Sequence, residues 1–595
     1  MIIPLDAKTQ ETLGRTEVVI ITERVDDVVL LLGHMIRMGL PAVLDNHLPR
    51  HWKQRGLSWG WTAVIWLAYI LTEGDHRKVS VEAYVQGMEQ TLSQVSGQAI
   101  AALDFSDDRL AHLLRYLSKP AYWHRIEQAL NERSIAVYDL PQEVIRCDAT
   151  TVSGYQEVVA GGLVPLGHSK DDPTRPQIKL MTGSLDPLGM PLASDVRSGD
   201  CADDGLYLPL IERLQASLKR CGLLLVGDCK MSALVIRAHL AGQQQYYLSP
   251  LPLTGATAAQ MEDWISQGVA KDQAGQLAPI TRNNDQDEAV LVAKGYELAR
   301  VCAVEAAGRR REWQERVLVV HSPVHAEQQA GGLEKRLTQA EAQLRQLTPP
   351  RGRGKRQITD EAVLLEAIGT VLKHHRVDGL LSIAYEKQTE RQTKYVGCGR
   401  GSAHRDQQVL ERVRYQITAI DRQEEPIAAL KQRFGWKALV TNAAWQQLTL
   451  GDAVLCYRHE YRIERIFNRL KSRLQIAPLF VTRDDQVQGL THLLMLGVRV
   501  LTLVEFTVRR SLQQDKATLA KLHPENPNKR TDKPTAERLL KAFSGISLTI
   551  IKDAATEREV KRWLTPLSSI QQDILQRLGL DTSLYRQLEI QNTGN

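Results

Sequence analysis

Seven short segments between residues 144 and 249 constrain the fold of this chain more than any other feature. Residues 144–152 form an apolar run bounded by Pro141 and Gly154, which predicts a strand. Residues 178–184 and 190–194 predict two more, joined through Asp186-Pro187-Leu188-Gly189, residues that favour a tight turn. Residues 204–221 carry apolar side chains at helical spacing. Leu223-Leu224-Leu225-Val226 is an apolar run that stops at Gly227-Asp228, as a buried strand does. Residues 231–240 then predict a helix, and 245–249 a last strand.

Strand, strand, strand, helix, strand, helix, strand is the order of the ribonuclease H fold. The expected class is therefore α/β, with a ribonuclease H-like mixed-sheet core over residues 140–250, completed by 456–485. Residues 251–455 interrupt that core as a large, partly β insertion. Within it Leu333, Leu337, Ala340, Leu344 and Leu347 alternate spacings of four and three, a coiled-coil-like seam too short to stand alone. An internal hairpin of helices suits it better than a dimer zipper. The seam ends at Pro349-Pro350, and the basic stretch RGRGKRQ follows. Strand-like pieces come next at 393–397, 439–441 and 453–457, and helical pattern returns at 461–474.

At 595 residues the chain needs several cores, and flanking domains are expected on both sides. Residues 1–135 read as a helical domain, either for DNA binding or assembly or plainly structural, and 486–595 as a helical C-terminal region with a linker at HPENPNKRTDKP. The most apolar stretch, 490–504, is interrupted by His492 and Arg499, which favours a buried helix over a membrane span. The seven cysteines are scattered, with no CxxC pair, which argues against a zinc ribbon or disulfide framework and fits a reducing, cytoplasmic setting. The net charge of +6 permits a polyanionic partner without requiring one.

Phosphodiester chemistry without a covalent intermediate needs an activated nucleophile and a stabilised leaving oxygen. Two divalent ions roughly 3.5–4 Å apart supply both. Carboxylates suit such ions, because magnesium prefers hard oxygen donors. Asp148 lies in the first strand and Asp228 at the end of the fourth, 228 − 148 = 80 positions on. The third carboxylate is expected from the helix at 461–474, where Ile463, Phe467, Leu470 and Leu474 share a face that can pack on the sheet. Tyr457, Glu464 and Lys471 are seven apart and share another face of a continuous helix. Glu464 is thus the candidate third ligand, with Lys471 placed for a phosphate. Arg462, Arg465, Arg469 and Arg473 add the positive charge of a DNA-facing element.

With these residues the chain resembles the DDE-type insertion-sequence transposases of bacteria, in the group marked by a Tyr-Arg-Glu-Lys signature. Tyr457, Glu464 and Lys471 match the signature, while the Arg expected four residues before the Glu is replaced by Glu460. Gly167-His168-Ser169-Lys170-Asp171 with Arg175-Pro176 resembles the group's segment before the second strand. Gly189-Met190-Pro191-Leu192 resembles its hairpin, and Gly199-Asp200 with Asp203 its approach to the first helix. Val226-Gly227-Asp228-Cys229-Lys230 and Val440-Thr441-Asn442 resemble the second-aspartate motif and the strand before the final helix.

The resemblance implies two Mg2+ or Mn2+ ions held by Asp148, Asp228 and Glu464, with Tyr457, Arg462, Arg465 and Lys471 as DNA contacts. It also implies cleavage at terminal inverted repeats, strand transfer into target DNA, and a homodimer on paired ends, with no membrane partner. Two alternatives stay open. One is a stand-alone nuclease of the same fold; the other is an inactive, transposase-derived DNA-binding protein.

Overall fold

The computed structural model describes residues 18–50, 55–167, 172–252, 254–284, 288–306, 309–352, 354–396 and 407–590. The chain divides into two units, the first of residues 1–249, 303–313 and 457–595, the second of 250–302 and 314–456.

In the first unit the seven segments form in the expected order: β1 (Val144–Ser153), β2 (Gln177–Asp186), β3 (Met190–Ser198), α1 (Tyr207–Leu218), β4 (Leu224–Gly227), α2 (Leu234–Gly242) and β5 (Tyr246–Pro250). The strands lie in the order β3-β2-β1-β4-β5. β1, β2 and β3 pair antiparallel, whereas β4 runs parallel to β1 and β5 parallel to β4. β4 is four residues long and buried throughout, which is why it reads as an unbroken apolar run.

Two further helices, α3 (Tyr461–Asn468) and α4 (Asp484–Gln514), return to this unit after the second. α4 has Asp484 and Asp485 in its first turn, where the helix dipole favours negative charge. It is long and apolar enough to cross a membrane, with mean hydropathy 1.6 over its most apolar stretch, yet 94% of that stretch is buried inside the protein. The two polar interruptions seen in the sequence each find a partner on the N-terminal helices. His492 contacts the Leu117 carbonyl at 2.8 Å through Nδ1 and stacks on Trp123 with ring centroids 4.2 Å apart. Arg499 donates to Asn131 Oδ1 at 2.7 Å, and Asn131 in turn donates to the Leu192 carbonyl on β3. Helix Pro120–Tyr138 is thereby tied to both α4 and the sheet.

The chain ends depart from the all-helical expectation. Strand Val18–Arg24 pairs antiparallel with Ser547–Asp553, which pairs with Glu559–Leu564. The buried Tyr585 hydroxyl donates to the Asp26 carbonyl at 2.8 Å, closing the C-terminal segment onto the N-terminal one. Residues 523–534, expected as a linker, are instead part of a packed loop: Leu519 bridges Thr531, and Leu522 and His523 are buried.

The second unit is a four-stranded antiparallel arrangement plus a long hairpin and helices. Trp436–Thr441, Arg309–His321, Ala289–Ala306 and Ala278–Asn283 neighbour one another in that order, and Leu381–Tyr395 pairs with Gln407–Arg422. The leucine seam lies in helix Pro323–Leu347, where Leu333, Leu337, Ala340 and Leu344 pack with Leu364, Ile368 and Val371 of helix Glu361–His375. It is an internal helical hairpin. Residues 453–457, expected as a strand, belong to helix Leu450–Arg458. Five apolar residues do not resolve a period of two from one of 3.6.

Burial lowers the His34 and His492 pKa values from 6.5 to about 3. A histidine depressed in the fold contributes stability that is fully present above 6.5 and is lost as pH falls towards 3, because the unfolded chain binds the proton first. Denaturation midpoints are expected to fall across that window, and His492→Gln to flatten the fall by up to about 1.4 kcal/mol per pH unit. Identical pH profiles for both proteins would remove His492 as a source of the acid sensitivity.

Candidate active site

The parallel register of β1 and β4 sets the site. Val144, Ile145, Arg146 and Cys147 pair with Leu224, Leu225, Val226 and Gly227. Asp148 and Asp228 each follow the last pair, so both carboxylates emerge at the same sheet edge. Gly227 permits this closeness: a Cβ there would stand 2.7 Å from Met231 Sδ and 3.2 Å from the Cys147 carbonyl oxygen.

Each aspartate is oriented by neighbours. Asp148 Oδ1 accepts from the Ala149 amide at 2.7 Å. Asp228 Oδ1 accepts from the Tyr207 hydroxyl at 2.6 Å and from the Lys230 amide at 2.9 Å. Tyr207, the first residue of α1, is buried, and burial together with the Asp228 and Asp148 charges raises its pKa well above 10. It stays a donor at any working pH. Burial beside Asp148 pushes the Cys147 thiol up to about 12, so it is no thiolate ligand near neutrality.

The third wall comes from the segment around α3. Asp148, Asp228, Tyr457, Glu460 and Ile463 line one small cavity of about 10 Å³, room for roughly one water-sized sphere. Tyr457 hydrogen-bonds Glu460, and its pKa is raised by burial and by the Glu460 and Asp228 charges. Glu464 does not line this cavity and is exposed. The expected continuous helix is interrupted: one helix ends at Arg458, a turn follows at His459-Glu460, and α3 restarts at Tyr461. Tyr457 and Glu464 are consequently on different helices. After α3 the chain makes a π-helical turn, Arg469–Arg473, which contains Lys471. The sheet-facing side behaves as its spacing predicts, with Ile463, Phe467, Leu470 and Leu474 buried.

Of the four arginines expected on the DNA-facing element, Arg462, Arg465 and Arg469 are held by carboxylates, and Arg473 donates to the Leu71 carbonyl at 2.7 Å. Arg462 Nη1 donates to Asp186 Oδ1 at 2.5 Å, and Arg146, on β1, pairs with the same carboxylate at 2.8 Å. Arg465 Nη2 donates to both oxygens of the buried Glu505 on α4 at 2.6 Å. Arg469, Arg509 and Arg465 converge on that one glutamate. Tyr207, Arg146, Asp186 and Glu505 were not singled out from the sequence. Arg146 offered a signal, a charge inside an apolar strand two positions from Asp148 and therefore on its face. His168, Lys170 and Asp171 lie outside the described residues. Trp436 and Trp445, the two insertion tryptophans closest in sequence to α3, are buried and exposed respectively.

The oxygen donors of Asp148, Asp228 and Glu460 suit a hard divalent cation, and among the lining residues the one cation, Arg146, is neutralised by Asp186. As the side chains stand, no three His, Cys, Asp or Glu groups among the described residues are spaced to hold a metal ion. Asp148 and Asp228 supply carboxylate oxygens of the kind such an ion takes, and both line the same pocket.

A family profile described as a transposase DDE domain matches residues 140–498. A search of curated proteins found no match. Among solved structures, the cryo-EM structure of a piggyBac transposase synaptic complex with hairpin DNA is 6% identical, with 87% of this chain and 79% of that chain covered. Its TM-score of 0.33 is too low for that likeness to carry any argument.

Arg146 and Asp186 side chains are 3% and 6% exposed. Asp186→Ala leaves Arg146 buried without its carboxylate and is expected to cost about 3–5 kcal/mol, whereas replacing the pair as Arg146→Met with Asp186→Leu should recover much of it. Chemical denaturation reads both, and a loss under 1 kcal/mol in the single variant would show that Arg146 finds another partner.

Proposed function

The chain belongs to the family of transposase DDE domains, which the profile match over more than half its length shows, and from that premise we propose that it is a DNA transposase acting through Asp148, Asp228 and Glu464. The observation that carries this reading is the parallel register that places Asp148 and Asp228 side by side at one sheet edge, inside the matched region. The strand order β3-β2-β1-β4-β5 supports a ribonuclease H-like core. Tyr457, Glu464 and Lys471 support placement in the group with the Tyr-Arg-Glu-Lys signature. Residues 251–455 would then be its insertion, 1–135 the domain that reads ends or assembles the complex, and 486–595 a C-terminal region that contributes strands as well as helices.

Bound at the carboxylates, two Mg2+ or Mn2+ ions would lower the pKa of an attacking water and stabilise the leaving oxygen. The protein's part is to place the oxygens. Tyr207 fixes the Asp228 carboxylate by donating to Oδ1, leaving Oδ2 for a ligand role. Ile463 closes the apolar side of the pocket. Glu464 lies one helical turn beyond Glu460, whose carbonyl accepts from its amide at 3.4 Å, and in this reading its exposed side chain would have to turn towards the pair. Lys471 and Tyr457 meet the phosphate backbone of the same strand. Arg462 and Arg465 contact it with the N–H donors that Asp186 and Glu505 do not use. Water attacks first at the element's terminal inverted repeat, and the freed 3′ hydroxyl then attacks target DNA. The active form is a homodimer on paired ends, in the cytoplasm.

A second reading, DNA binding without cleavage, is favoured by one observation: Glu460, at the position where the group carries Arg, lines the pocket while Glu464 is exposed.

Purified protein with labelled DNA carrying the flanking inverted repeat separates the readings. Magnesium-dependent nicking at the repeat boundary, abolished by EDTA, is expected. Asp148→Asn, Asp228→Asn and Glu464→Gln should each lower it at least about 1000-fold, with end binding retained. Glu460→Gln should leave most of it. Loss in Glu460→Gln with activity kept in Glu464→Gln would reassign the third carboxylate. Cleavage without strand transfer would mark a nuclease, and binding without cleavage the inactive reading.

A further inference from the structure

A second, larger cleft is lined in part by Pro187 and Leu188 of the β2–β3 turn and shares no lining residue with the acid pocket. It has a volume of about 1030 Å³, and its walls come from three places in the first unit: α3, the C-terminal half of α4, and the loop after α4. Arg462, Arg465, Arg509, Arg510, Lys516 and Lys533 line it against two carboxylates, Glu505 and Asp532. Pro187 and Leu188 of the turn, with Phe506, supply an apolar rim.

The cleft is built rather than incidental. Glu505 is 5% exposed and fixes Arg465, Arg469 and Arg509 at its base. Both bonds from Arg465 are made by Nη2, so its Nη1 and Nε donors are not used by Glu505. Arg509 donates onward to the Pro534 carbonyl at 2.9 Å and the Lys533 carbonyl at 3.3 Å, pinning the loop to α4. The bridge between Leu519 and Thr531 holds the two arms of that loop together. Lys516 and Lys533, both exposed, are thereby presented on one ordered wall opposite α3.

We propose that this cleft seats the phosphate backbone of a DNA duplex, with Lys516 and Lys533 as phosphate contacts outside the acid pocket. The proposal rests on the reading that the chain acts on DNA. The cleft's positive charge comes from α3, from α4 and from the loop after it, and the exposed Lys516 and Lys533 are flexible point charges of the kind that meet phosphate oxygens. A cleft of about 1030 Å³ lined by six cationic side chains has room and charge for more than one phosphate of a repeating polyanion.

The test is duplex binding by fluorescence anisotropy in EDTA, where the acid pocket is silent, across a series of salt concentrations. Lys516→Gln with Lys533→Gln is expected to weaken binding roughly 10–30-fold at 0.15 M salt, equally for unrelated sequences. The slope of log K against log salt should become shallower by roughly 1.8, about 0.9 per lost phosphate contact. Lys516→Arg with Lys533→Arg should bind as the wild type does, and an unchanged melting temperature in the Gln variant shows that the loop still folds. An unaltered slope overturns the proposal, as does a loss seen with single-stranded RNA but not with duplex DNA. The slope change without any cleavage by the wild type would leave the cleft standing and remove the transposase mechanism. Cleavage with an unmoved slope would do the reverse.

Discussion

Four paired residues on each of two parallel strands govern where this protein's chemistry can sit. Because β1 and β4 run side by side from Val144 and Leu224, whatever follows Cys147 and Gly227 must emerge together. Parallel pairing is feasible here because α1 and the intervening strands supply the long crossover that a parallel neighbour demands. It also explains the burial of β4: a central strand covered on both faces has no use for polar side chains until it ends. The first polar side chain after it is Asp228, already engaged by Tyr207 from the crossover helix.

Around this pair the protein concentrates buried charge. Arg146 and Arg462 share Asp186, while Arg465, Arg469 and Arg509 share Glu505. Buried ion pairs contribute little net stability, since desolvation offsets most of the attraction, but they tolerate few alternative geometries. Both clusters tie α3 to an element of the first unit, one through the β2–β3 turn and the other through α4. α3 is thus positioned by charge as well as by burial of Ile463 and Phe467.

The core strands, and the placing of Asp148 and Asp228 beyond paired strand residues, were legible because apolar runs that stop at turn residues announce where a strand ends. The segment from Tyr461 was legible as a helix, yet its faces were not. Spacing of seven assumes one unbroken helix from Tyr457 to Lys471, and the chain instead turns at His459-Glu460 and widens into a π turn at Arg469–Arg473. Neither break has a Pro or Gly to mark it. The strands at the ends went unseen for a different reason. Val18–Arg24 is rich in β-branched residues, but its partner lies more than 500 positions away, and a strand without a visible partner has no local signature. Glu505 and Asp186 were hidden in the same way, because each acts on residues from another part of the chain.

The long excursion between β5 and α3 has a consequence for the protein while it is being made. Asp228 leaves the ribosome 460 − 228 = 232 residues ahead of Glu460. At about 5–20 residues per second, the nascent chain exposes its paired aspartates for roughly 10–50 s before the segment that walls the pocket exists. The second unit, whatever else it does, acts as a delay: the pocket can close only after the whole excursion has been synthesised.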